Sequence, residues 1–125
     1  MSLFKNTTRA EFAEFRAWCV LWVERFGLTD WCIAYRLDGE SMGRLAGATL
    51  DAQARNATVY LANSHSADEP EWDMEALALH EVLHVVVADL GDLARSRYVM
   101  EDALERIEEA LVVRLSHAIE AIQGD

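Results

Sequence analysis

The sequence predicts an α+β domain with an N-terminal helix, a three-stranded antiparallel sheet, a histidine-bearing helix and a C-terminal helix. Three observations carry this. Apolar residues recur at three- and four-residue steps in three stretches, 8–26, 70–90 and 98–122. Between the first two, segments 31–37 and 56–62 are rich in aromatic and β-branched residues and partly alternate. The chain has 125 residues, 52% of them hydrophobic, enough to bury a real core as one domain, 1–125.

The elements follow in order. Thr8-Arg-Ala-Glu11 has the form of a capping box, and Phe12, Phe15, Cys19, Trp22 and Phe26 then share one helical face until Gly27. WCIAYRL at 31–37 reads as a strand closed by the turn signal Asp38-Gly39, and 43–54 as a weaker second strand. NATVYLA at 56–62 reads as a third, with Val59 and Leu61 on one face, Thr58 and Tyr60 on the other, completing a meander. Residues 63–69 read as a loop. Pro70 suits a first helical turn capped by Asp68 or Glu69, and that helix should run to Leu90 and stop at Gly91. The last helix spans about Tyr98 to Ile122.

Composition excludes some functions. The formal charge is −11, Lys5 is the only lysine, and the arginines are scattered singly. No basic stripe exists for phosphate, so neither nucleic acid nor an anionic membrane surface is expected as a partner. The N-terminus has no apolar signal region and no apolar run approaches a membrane span. A cytoplasmic location is therefore expected, with Cys19 and Cys32 as reduced thiols.

Chemistry concentrates at His80-Glu81-Val82-Leu83-His84, the HExxH pattern. Positions four apart lie one turn apart on one helix face, so both imidazoles can reach a single metal ion. Glu81 stands beside them, placed to take a proton from water that the ion has acidified. The flanking Leu77, Leu79, Val82, Leu83, Val85, Val86 and Val87 suggest a helix buried on most sides, where ionisable groups need partners. Two core histidines without a metal are the ordinary alternative.

A catalytic zinc usually takes a third protein ligand. The sequence has no HExxHxxGxxH extension, since residue 90 is Leu. The last helix offers Glu101, Asp102, Glu105, Glu108 and Glu109. Its apolar stripe is Leu104, Ile107, Leu111, Leu115, Ala118 and Ile122, and Glu108 falls inside it. Glu108 is thus the expected ligand, with Glu101, at the stripe's edge, second.

HEVLH on a helix, followed by a helix bearing EEALVVRLSHAI and preceded by WCIAYRL and ATVYLA, resembles the small HExxH metallopeptidase-like proteins of bacteria and their phages, the minimal gluzincins, over about residues 30–122. The resemblance implies a zincin-like fold. It also implies His80, His84 and Glu108 as zinc ligands and Glu81 as general base. The function implied is zinc-dependent peptide-bond hydrolysis, acting on a polypeptide. A second expectation keeps the metal but not the catalysis: a binding or scaffold protein engaging a protein partner. The intact Glu81 favours the first, and the small size, with little room for a second lobe, favours the second.

Two further roles are open. His65, Tyr98, His117 and Tyr60 are candidate donors to an oxyanion, each with an ordinary structural alternative. Strand 56–62, were it at the sheet edge above the metal, would accept an extended peptide as an added strand.

Overall fold

The computed structural model describes residues 4–38, 45–66, 73–96, 98 and 100–123. The elements are β1 (Phe4–Asn6), α1 (Arg9–Phe26), β2 (Cys32–Asp38), β3 (Ala46–Asp51), β4 (Asn56–Ala62), β5 (Ser64–Ser66), α2 (Met74–Val86), α3 (Ala88–Ala94) and α4 (Glu101–Gln123). The α+β class is as expected. Among the described residues, no helix is long and apolar enough to cross a membrane.

Helix α1 begins and ends where its local chemistry dictates. Thr8 accepts from the Glu11 backbone N–H at 3.0 Å, and Glu11 accepts from the Thr8 backbone N–H at 2.8 Å. At the other end Gly27 takes the left-handed conformation (φ 66°), which costs glycine nothing, and its N–H reaches the Glu24 carbonyl. Phe15, Cys19, Trp22 and Phe26 point into the core.

The main sheet departs from the antiparallel meander. Its order is β2-β4-β3, with β4 antiparallel to β3 and parallel to β2. Alternation shows which residues share a face, but not which strand lies beside which. Here β4 carries Ala57, Val59 and Leu61, all buried, and the most apolar strand takes the centre, where both edges are paired. A turn at 52–55 joins β3 to β4, with the Asp51 carboxylate accepting from the Ala54 N–H at 3.1 Å. Arg55 closes it at φ 58°, a left-handed conformation costing a non-glycine residue about 1 kcal/mol. Its guanidinium offsets that cost through bonds to Asp30 (2.7 Å) and Asp89, and it lies 4.9 Å from the Trp31 ring centre.

Register puts Ala46, Ala48 and Leu50 of β3 on the same face as Val59 and Leu61, toward the helices. Gly47 is on the other face, under the Tyr60 ring: a Cβ there would stand 2.1 Å from the phenol oxygen. The expected loop at 63–69 contains a second small sheet, β5 pairing antiparallel with β1. It is anchored by Thr7, whose hydroxyl donates to the Ala62 carbonyl at 2.6 Å.

The motif helix is shorter than expected. Its described start is capped by Asp73, which accepts from the Ala76 N–H at 3.0 Å; the Pro70 start and the Asp68 or Glu69 cap lie outside the described residues. Helix α2 ends at Val86, after which Val87 (φ −92°, ψ 3°) turns the chain into α3. Three consecutive β-branched valines are stiff and weak helix formers, which suits a break there. Gly91 does not stop a helix; it lies inside α3, donating to the Val87 carbonyl.

Helix α4 begins at Glu101 rather than Tyr98, and Tyr98 is 83% exposed. It packs chiefly on α1 and α3. Of its expected core stripe, Ala118 is buried and Ile107 and Leu111 are half-buried, while Leu104, Leu115 and Ile122 are exposed.

Candidate metal centre

The centre is built on one face of α2. His80 and His84 project from successive turns, with ring centres 5.1 Å apart and planes at 79°. Each Nε2 lies 4.0 Å from Oε1 of Glu81. Ligand atoms of all three residues fall within 4.8 Å of one another. Two donors on a single zinc ion stand about 3.3 Å apart for Zn–N bonds near 2.0–2.1 Å, so small rotations of the imidazoles suffice. Nitrogen and carboxylate donors suit zinc and several other divalent ions.

The three groups differ in setting. A helix this apolar was expected to hide all of them, but only Glu81 is hidden: its side chain is 4% exposed, against 70% for His80 and 52% for His84. The helix is buried on the side of Ala78, Val82, Val85 and Val86, and the imidazoles face out. Behind Glu81 lies the α1 core. The Cys19 thiol there is pushed up to about 12, first by burial and then by the charge of Glu81. Cys19 is therefore a protonated core residue, and Cys32 is an exposed free thiol.

The imidazoles open into a groove. A cavity of about 600 Å³ lies over them, walled by Leu45 and Ala46 at the start of β3 and by Ala76 and Leu77 of α2, with Asp73 at one end. Past His84 a smaller space of about 190 Å³ continues between Leu50 and Ala52 on one side and Val87, Ala88, Gly91, Asp92 and Arg95 on the other. Strand β3 therefore runs alongside the centre. Among the described strands it pairs only with β4, which makes it an edge strand of this sheet.

The other expected site residues are not gathered here. Glu108 and Glu101 are exposed on α4, and neither joins the His80–Glu81–His84 group. The helix seats itself through Ala118 and Leu111, which rotates Glu108 to solvent. His65 sits on β5 opposite Lys5, His117 is exposed on α4, Tyr98 precedes α4, and Tyr60 covers Gly47. None of these four is among the described residues lining the groove. Strand β4, for which a peptide-binding edge and an ordinary paired strand were both open, is a paired central strand; β3 is the edge beside the metal centre.

Asp73 and Arg95 went unremarked in the sequence. Asp73 was legible as an acidic residue three before Ala76, the spacing of an N-cap. It stands two turns from His80, a rise of about 10 Å, too far to share the ion. Comparisons of the chain with protein-family models, with curated proteins and with solved structures returned no match.

Proposed function

We propose that this chain is a small zinc-dependent peptidase of zincin-like type. The observation that carries the reading is the Glu81 carboxylate, buried and 4.0 Å from both imidazole Nε2 atoms, at the floor of an open groove. A purely structural zinc site has no need of such a carboxylate. When bound, zinc supplies Lewis acidity, polarising a carbonyl and making water acidic near neutral pH. His80 and His84 hold the ion. Glu81 accepts the proton of the attacking water and passes it to the leaving amine. Its burial fixes the carboxylate's position, which is what a proton acceptor at a reacting centre requires. As an edge strand, β3 aligns an extended peptide through backbone hydrogen bonds.

A second reading is favoured by the exposure of both histidines, since catalytic sites generally exclude water. In it the same groove holds a peptide or protein segment and cleaves nothing. Elemental analysis and a cleavage time course on an unfolded-protein library separate the two. Expected for the peptidase is about one zinc per chain, lost in His80→Ala and His84→Ala. Glu81→Gln should keep fold and zinc while cleavage falls by about 100- to 10,000-fold. Zinc retained in both histidine variants overturns the metal centre. Zinc lost in the histidine variants with no cleavage by the wild type leaves the binding reading.

A further inference from the structure

We propose that the space beyond His84 is a carboxylate-recognising subsite, in which Arg95 pairs with an acidic side chain or free terminal carboxylate of a peptide lying along β3. The inference rests on the peptide reading of the groove and adds the chemistry of what the groove selects.

The charges lining the groove carry it. Asp73 closes one end and Arg95 the other, with the histidines between them. The chain is strongly acidic, and Arg95 is an exposed cation on the wall of this space. Nearby arginines are engaged: Arg55 by Asp30 and Asp89, and Arg114 by Asp30 at 2.9 Å. Among the described residues, no carboxylate lies within ion-pair distance of Arg95. Asp92, which lines the same space, is instead the acceptor of a 2.7 Å bond from Gln53.

Helix α3 also seats this side chain. Arg95 follows Gly91 by one turn, and its Nη1 would stand 3.0 Å from a Cβ at position 91. Without that Cβ the guanidinium lies down over the helix into the space lined by Leu50 and Ala52. A guanidinium presents a planar fork of donors matched to a carboxylate. One pocket wall is apolar and the other holds this fork, which suits a side chain with a short aliphatic stem and a carboxylate tip. The free terminal carboxylate has the same chemistry, and peptide chemistry decides between the two.

The test is an amide-shift titration of the full chain, followed by NMR in the presence of EDTA so that it does not depend on bound metal. Three probes are used: an acetylated, amidated Ala-Ala-Glu-Ala peptide, its Gln counterpart, and an acetylated Ala-Ala peptide with a free carboxylate. The expected result is that the Glu peptide, the free-acid peptide or both bind about tenfold tighter than the Gln peptide. The shifts should centre on Leu50, Ala52 and Gly91. Arg95→Gln should erase the preference, and Arg95→Glu should transfer it to a peptide with Lys in place of Glu. Added salt should weaken it, because the groove is open. A preference for the Glu peptide alone identifies a side-chain subsite, and for the free acid alone a terminal one. Equal binding of the Glu and Gln peptides with no gain for the free acid, a preference that survives Arg95→Gln, or no binding by any probe overturns the subsite. The cleavage result with Glu81→Gln judges the peptidase reading separately.

Discussion

Helices α2 and α4 both repeat apolar residues at helical spacing, yet they end in opposite situations. In α2 the valines at 82, 85 and 86 are buried almost completely, against the sheet and α1. In α4 only Ala118 is buried, and Val112, Ile119 and Ile122 are about half exposed. The difference teaches that periodicity defines a face and leaves open what covers it. It also explains the fate of the two carboxylates expected at the metal centre. Glu81 sits on the core-facing side of α2, so its charge reaches Cys19. Glu108 sits on a helix touched along one edge, so it faces water.

The contrast can be broken most directly with matched substitutions. Val82→Asp puts an uncompensated charge into the core and should cost at least about 3 kcal/mol, enough to abolish cooperative unfolding in a marginal domain. Ile119→Asp, on the half-exposed face, should stay within about 0.5 kcal/mol. Urea denaturation of the two variants beside the wild type measures both. Comparable losses would mean that α4 is as deeply packed as α2.

A smaller effect sharpens the comparison on the face of the sheet turned away from the helices. In Gly47→Ala the new Cβ meets the Tyr60 phenol, whose oxygen lies 2.1 Å away, so the ring must leave its place. The expected cost is about 1–3 kcal/mol. Adding Tyr60→Ala should make the Gly47→Ala change nearly free, in a double-mutant cycle read by thermal melts. A Gly47→Ala penalty that persists without the ring would locate the constraint in the β3 backbone.

The smallest effect concerns what holds α4. Arg114 reaches Asp30, on the α1–β2 connection, with bonds of 2.9 and 3.1 Å. Burial alone would raise the Asp30 carboxyl, but a backbone hydrogen bond and the neighbouring Arg114 and Arg55 outweigh it and hold it below the usual carboxylate range. A folded-state pKa below the unfolded one stabilises the fold above about pH 4 and loses that contribution as pH falls through the folded value. Asp30→Asn should therefore cost something at pH 7 and nothing once the carboxyl is protonated in both states. Asp30 is 40% exposed, so solvent screening limits the cost to about 1 kcal/mol or less. Denaturation of both proteins at neutral and acid pH checks the sign, and a difference that grew on acidification would contradict it.

What the sequence determined by itself was local. The capping box at Thr8 and Glu11, the left-handed stop at Gly27, the face shared by Val59 and Leu61, and the pairing of His80 with His84 one turn apart all follow from interactions within a few residues. Only the tertiary structure decided the rest. It placed β4 between β2 and β3, making β3 the edge beside the imidazoles. It aimed α3 and Arg95, after the break at Val87, at the same groove as the imidazoles. It turned Glu108 outward by seating α4 on Ala118. These outcomes depend on which apolar surfaces meet, a competition among residues distant in the chain. Strand and helix periods are the same whichever neighbour wins, so no local pattern records the result.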